Sequence, residues 1–417
     1  MSCFFCSVIE YRTIKKIGEG TYAVVVKAKS LEDGKCYACK TLKHTLRSWN
    51  HVYNLREVQA LRRLGSHPNL LQLHDILFDL DTGSVSLVFE LMEMNIFELI
   101  KARQYPMPES KIQNYMYQLC KSLHHLHSNG IFHRDVKPEN ILIKHNTLKL
   151  GDFGSCNSLY AGPPYTEYIS TRWYRAPECL LTDGHYSHKM DLWSAGCVFY
   201  EILTFRPLFP GSSELDQVSK IHDVLGTPKP AVLRKFKPYR KVAFNFTKRK
   251  GRGLSALIPQ CSETSMSLLR RMLQYDPEER ISSRAALQHL WFREQRLEER
   301  IATSLTRKTS MDLERGQRST HTPSAGDNQK HRTRQACQAV KLPRLNQATQ
   351  PSPRACPDSL PFCSARGNQE RLPPITNRIN RSTCQKPREE VPLQAKERTI
   401  FPPLGNTNRK ESRSPHT

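Results

Sequence analysis

Two short motifs constrain this chain more than anything else in it: His133-Arg134-Asp135-Val136-Lys137-Pro138-Glu139-Asn140 and, beginning twelve residues after Asn140, Asp152-Phe153-Gly154. Between them Ile141-Leu142-Ile143 and Leu148-Lys149-Leu150 read as two short strands joined by the polar turn Lys144 to Thr147. A hairpin of that kind puts Asn140 and Asp152 at strand ends facing one cleft. The residue types match what phosphoryl transfer from a nucleotide needs: a carboxylate, Asp135, to accept a hydroxyl proton, and an Asn and a second Asp to hold Mg²⁺. A chance loop of solvated charges accounts for one such motif, but poorly for both in this order and spacing.

Upstream, Tyr11 to Leu42 alternates like paired strands, with turns at Gly18-Glu19-Gly20 and Glu32-Asp33-Gly34. Glycines in the first turn let backbone N–H groups approach phosphates closely. Tyr37-Ala38-Cys39-Lys40 follows on a strand. Asn50 to Leu64 reads as one helix, with Val52, Leu55, Val58 and Leu61 at three-residue steps and Glu57 near the edge of that stripe. Ser84 to Met92 is a further strand. Glu109 to Asn129 carries Ile112, Tyr115, Met116, Leu119, Leu123 and Leu126 at helical spacing and is ended by Gly130.

HRDxKPEN followed by DFG is the signature of protein kinases, and residues 10 to 293 resemble that family. The resemblance implies an α+β, bilobal fold with a mostly β N-lobe over residues 11–92 and a mostly helical C-lobe over 93–293, after an N-terminal extension at 1–10. It implies ATP and Mg²⁺ as cofactors, with Asn140 and Asp152 as metal ligands, and proteins bearing Ser or Thr as substrates. Asp135 becomes the proton acceptor; Lys137, the mark of Ser/Thr rather than Tyr kinases, offsets charge on the transferred group. Lys40 becomes the phosphate-binding lysine and Glu57 its helix-borne partner. The nucleotide is expected against Ile17, Gly18, Glu19, Gly20, Thr21, Tyr22, Ala23, Val24 and Val25 of the glycine-rich loop, where Ala23 replaces the family's third glycine. Ala38, Lys40, Phe89 and the hinge Glu90, Leu91 and Met92 complete that set, the hinge by backbone hydrogen bonds to adenine. Asp191 is expected to brace the catalytic loop, and Arg280 to pair with Glu178.

Thr166-Glu167-Tyr168 before Thr171-Arg172-Trp173-Tyr174-Arg175-Ala176-Pro177-Glu178 resembles the MAP-kinase side of the CMGC group. Cys156 after Gly154-Ser155, and Ile131-Phe132 before His133, resemble its MAK/ICK/MOK branch. The branch implies activation by phosphorylation of Thr166 and Tyr168 by an upstream kinase, with Arg134 and either Arg172 or Arg175 receiving the phosphates. It also implies acceptor sites followed by Pro or flanked by basic residues, a CMGC insert near 210–259, and a cytoplasmic protein that also reaches nucleus and cilium.

The formal net charge of +24 is shared evenly: from Ile301 onward 21 Lys+Arg face 9 Asp+Glu. That stretch has neither Trp nor Tyr and holds 13 of the 27 prolines. It cannot bury enough apolar surface to offset its ordering entropy, so 294–417 is expected to be a disordered basic tail. Without interleaved aromatics the tail is not expected to bind nucleic acid specifically. No run of 18 apolar residues suggests a membrane span. Cys3-x-x-Cys6 and Cys36-x-x-Cys39 mimic zinc half-sites, but the second lies on an alternating strand where its side chains do not converge. The competing reading is an inactive kinase-fold scaffold with a basic interaction tail; Lys40, Glu57, Asp135, Asn140 and Asp152 all argue against it.

Overall fold

The computed structural model describes residues 10–166, 171–239 and 246–304. The expected strands form: β1 (Tyr11–Glu19), β2 (Ala23–Ser30) and β3 (Cys36–Leu42) pair antiparallel in sequence. After two helices, α1 (Trp49–Tyr53) and α2 (Arg56–Leu64), come β4 (Leu73–Phe78) and β5 (Val85–Glu90). The sheet order is β1-β2-β3-β5-β4, which sets Lys40 of β3 opposite Leu87 of β5.

The single helix expected over Asn50–Leu64 is in fact two. Leu55 leaves the helical region at φ −59°, ψ 131°, and its carbonyl accepts the first bond of α2 from Gln59 N–H. Periodicity explains the break. Apolar residues three apart drift by about 60° per step on a 3.6-residue helix, so an unbroken helix would set Val52 and Leu61 on opposite faces. Both are buried, which the break at Leu55 permits. It also turns Glu57, in the first turn of α2, into the interior.

The second lobe is helical around α4 (Glu109–Ser128), preceded by β6 (Met94–Asn95) and α3 (Ile96–Lys101). Every apolar residue that set the periodicity of α4 is buried. Gly130 closes it at φ 70°, where a Cβ would lie 2.5 Å from the Tyr160 ring. Then follow β7 (Ile131–Phe132), β8 (Ile141–Lys144), β9 (Thr147–Leu150) and β10 (Asn157–Ser158). The helices α5 (Pro177–Leu181), α6 (Lys189–Thr204), α7 (Glu214–Leu225), α8 (Pro230–Phe236), α9 (Leu254–Leu257), α10 (Glu263–Met272) and α11 (Ser283–Leu287) complete the lobe. α6 is buried on all sides from Met190 to Ile202. Glu178 and Arg280 pair through two contacts of 2.6 and 2.9 Å, both side chains wholly enclosed. The basic run Lys248 to Arg252 is not simply solvated, since Arg249 bonds Ser219 and Asp223 of α7, each at 2.7 Å.

The composition break placed at residue 294 falls inside a helix over 293–304. Polar contacts rather than apolar burial hold it: Glu299 accepts from Tyr117 Oη at 2.7 Å and Lys121 Nζ at 2.6 Å, and Arg296 donates to the Leu287 and His289 carbonyls. The remainder of the expected tail, 305–417, lies outside the described residues, as do Cys3 and Cys6. Cys36 and Cys39 are both unbridged on β3. Among the described residues no helix is long and apolar enough to cross a membrane.

Candidate active site

Between the sheet and β8–β9 lies a cavity of about 650 Å³. Ile17, Gly18, Val25, Ala38, Lys40, Phe89, Glu90, Leu91, Met92, Asn140 and Asp152 all line it. The other loop residues expected there do not. Glu19 is engaged by Lys16 and by Lys43 at 2.7 Å, Tyr22 is 77% exposed, and Ala23 is buried at the start of β2. The cause is local geometry: Gly20 N–H closes the turn on the Ala23 carbonyl at 2.9 Å, and strand alternation turns Val25 but not Val24 toward the cleft. Thr21 also stands outside the lining. Leu142 lines the cleft and was missed, although alternation held the signal, since Ile141 and Ile143 on either side are buried in the core.

Lys40 Nζ sits 2.7 and 3.0 Å from the two Glu57 oxygens and 2.9 Å from Asp152 Oδ1. Burial works to lower the Lys40 pKa, but the two carboxylates outweigh it and hold the ammonium above its usual range. Asp152 shows the reciprocal balance: burial raises its carboxyl, and Lys40 draws it below the ordinary value. Asp152 takes the left-handed region at φ 59°, while Phe153 is buried beneath it, edge-on to His133. Strain at a non-glycine residue persists only where the surroundings enforce it.

Asp191, enclosed in α6, fixes the preceding loop by accepting from His133 N–H at 2.8 Å, Arg134 N–H at 2.9 Å and His127 Nε2 at 2.9 Å. Arg134 is left-handed as well, at φ 68°. This presents Asp135, only 7% exposed. Its Oδ2 accepts from Lys137 Nζ at 2.9 Å and Asn140 Nδ2 at 3.0 Å, whereas its buried Oδ1 has no partner among the described residues. A buried acceptor left bare is costly unless another molecule supplies the donor. The set fits the nucleotide and metal on its chemistry: apolar walls for a planar base, a cation for phosphate, and hard oxygen donors from Asn140 and Asp152 for Mg²⁺.

Of the expected activation residues, Tyr168 lies outside the described segments together with Glu167. Thr166 is linked to Arg134: its carbonyl accepts from Tyr186 Oη at 2.7 Å, and that oxygen accepts from Arg134 Nη1 at 3.1 Å. Arg172 and Arg175 turn elsewhere, Arg172 to the Ser212 carbonyl at 2.8 Å and Arg175 to Glu214 at 3.0 Å. The start of α7 offers acceptors that sequence spacing could not reveal. Arg56 is half-buried, and burial together with the nearby Arg134 charge lowers its pKa.

A second carboxylate near this loop carries a pH signature. Burial raises the Glu201 pKa from 4.5 to about 7; the Tyr174 hydroxyl, donating at 2.7 Å, opposes the rise and Glu139 adds to it. Because the folded state binds this proton more tightly than the unfolded one, the associated stability is full below pH 4.5 and is lost as pH rises through about 7. Glu201→Gln should therefore match the parent in stability at low pH and exceed it above neutrality by roughly 1–2 kcal/mol. Parallel thermal melts across that range check this; a constant difference at every pH would reject it.

Phosphoryl transfer from a nucleotide needs a held cation for the phosphates and a fixed carboxylate for the acceptor, and Lys40 between its two carboxylates and the braced Asp135 supply them, as in the protein kinase class. The comparisons agree. Residues 11–292 match the protein kinase domain family. The chain is 61% identical over 298 residues to the MAPK/MAK/MRK overlapping kinase of Homo sapiens, covering 72% of this chain and 71% of that protein. It is 42% identical over 284 residues to the serine/threonine-protein kinase ICK of Mus musculus, covering 68% of this chain and 45% of that one. The chain belongs to the protein kinase family, as a Ser/Thr kinase of its MAK/ICK/MOK branch. Like other protein kinases it uses ATP and Mg²⁺ to phosphorylate proteins, and the inactive-scaffold reading falls away.

Proposed function

We propose that Asp135 Oδ1 receives the hydroxyl of the substrate Ser or Thr and takes its proton as phosphate is transferred. The single observation carrying this is that buried oxygen without a partner, beside an Oδ2 already held by Lys137 and Asn140. Lys137 offsets charge gathering on the transferred group, and Lys40, kept charged and aimed by Glu57, holds the phosphates of the nucleotide. Asn140 and Asp152 are the metal ligands. Bound ATP supplies the phosphoryl group, and Mg²⁺ screens its charge. Leu91 and Met92, at the end of β5, are the hinge for adenine.

Acceptor sites are those followed by proline or flanked by basic residues; Glu93, Glu98 and Glu139 at the cleft support the basic preference. Incubating the purified protein with Mg-ATP and a degenerate Ser/Thr peptide library tests both. Transfer without enrichment of Pro or of Arg and Lys would reject the substrate reading while leaving the enzyme intact. No transfer by protein bearing phosphate on its activation segment would reject the roles given to Asp135 and Lys137.

An upstream kinase switches the enzyme on at Thr166 and Tyr168. Support comes from Arg134, whose guanidinium reaches the Thr166 carbonyl through Tyr186 Oη and so sets a cation beside this segment. The variant Thr166→Ala/Tyr168→Phe should lose about tenfold or more in kcat/KM. Unchanged turnover would reject control by this segment.

A further inference from the structure

One exposed apolar patch is not used by the chemistry above. Trp49 and Tyr53 of α1 stack at 5.6 Å, and Trp49 meets Phe78 of β4 edge-on at 5.3 Å. Trp49 and Tyr53 are 36% and 43% exposed, and Leu80, two residues beyond Phe78, is 69% exposed. Arg62 of α2 lies over the Tyr53 ring at 5.0 Å and Arg47 is exposed two residues before Trp49, so the rim is positive beside the two rings, while the exposed Asp79 and Asp81 flank Leu80 at the other side. The patch lies on α1 and the end of β4, beside α2, which carries Glu57. Rings clustered at a surface mark an interaction site more often than scattered ones do.

We propose that this patch is the docking site of the chain's own segment Asp358-Ser359-Leu360-Pro361-Phe362, and that its docking steadies α1 and α2 and so the Lys40–Glu57 pair. Three observations select that occupant. The first is where the chain leaves the described residues. Glu299, in the helix over 293–304, and His67, three residues past α2, line one common cavity, so the exit lies beside the helix whose Arg62 edges the patch. The second is length: 58 residues separate Ser304 from Phe362, a flexible tether of roughly 40 Å. That is ample for one lobe, and keeps the local concentration of the segment in about the millimolar range. The third is charge. From Ile301 onward the two phenylalanines are Phe362 and Phe401. Phe401 follows Lys396, Glu397 and Arg398, whereas Phe362 has Asp358 four residues before it and Arg366 four after, the less basic setting of the two, which suits the arginines beside Tyr53 and Trp49.

The other aromatic pair outside the described residues, Phe4-Phe5, is too short-tethered. β1 and β4 are opposite edges of the sheet, and Tyr11 and Phe78 belong to opposite ends of it, a diagonal of about 25 Å. Phe5 and Phe4 stand five and six residues before Glu10 and span at most about 20 Å.

Hydrogen exchange of the full-length protein over residues 49–64 tests the proposal. Phe362→Ala should speed exchange there by roughly threefold or more, and a synthetic peptide of residues 355–366 should restore protection in that variant. The peptide should fail on a Trp49→Ala/Phe362→Ala protein whose melting temperature remains that of a folded domain. Exchange unchanged by Phe362→Ala would overturn the proposal, as would protection that grows with protein concentration, which would make a second copy the occupant. Loss of protection in Phe4→Ala/Phe5→Ala instead would give the patch to the other end of the chain.

Discussion

Changing Asp152 to Asn should reduce peptide phosphorylation by at least about 10³-fold in kcat while the melting temperature moves little. The substitution keeps the shape of the side chain and removes the charge. Lys40 retains both Glu57 oxygens at 2.7 and 3.0 Å, so the interior gains no unpaired cation. What goes is the anionic oxygen that lines the cleft 2.9 Å from Lys40, the group suited to a hard divalent ion. Lys40→Met should be comparably inactive for a different reason, because it strands Glu57 without a cation and removes the phosphate contact. Steady-state kinetics beside a thermal melt distinguish chemistry from folding. Activity in Asp152→Asn within about tenfold of the parent would show that the metal role lies elsewhere.

The largest effect on stability is expected at Arg280. Its guanidinium and the Glu178 carboxylate are wholly enclosed and joined by two contacts, and Arg280 also donates to the carbonyls of Gln274 and Lys189 at 3.0 Å. Truncation to Ala leaves Glu178 charged and dry, at a cost of about 3–5 kcal/mol. For a domain of this size the melting temperature should fall by on the order of 10 °C. Replacing both partners together, as Glu178→Gln/Arg280→Met, should recover part of that loss, because no uncompensated charge remains. A double variant worse than Arg280→Ala alone would mean that the network of carbonyl contacts, rather than the ion pair, sets the stability.

Much of this was legible because the chemistry demands particular residues close together in sequence. The catalytic loop, the hairpin after it and Asp152 follow from a contiguous stretch, and α4 follows from periodicity sustained over twenty residues. What failed to read through depended on contacts between distant segments. The kink at Leu55 answers to a core that must receive both Val52 and Leu61. The partners of Arg172 and Arg175 depend on where Ser212 and Glu214 fall. The helix over 293–304 has too little apolar patterning to announce itself and is kept by Tyr117 and Lys121, more than 170 residues earlier. Of the glycine-rich loop, Ile17, Gly18 and Val25 line the cleft wall.

The Asp191 brace bears on how this enzyme opens as well as on how it is shaped. His133 and Arg134 belong to a loop, where amide protons ordinarily exchange with solvent through small local fluctuations. Here both N–H groups are tied to the enclosed Asp191 carboxylate in the first turn of α6. Releasing both would leave that enclosed charge with His127 alone, so the opening that frees them together is a costly one. The N–H groups of His133 and Arg134 should therefore be among the slower of the loop amides to exchange.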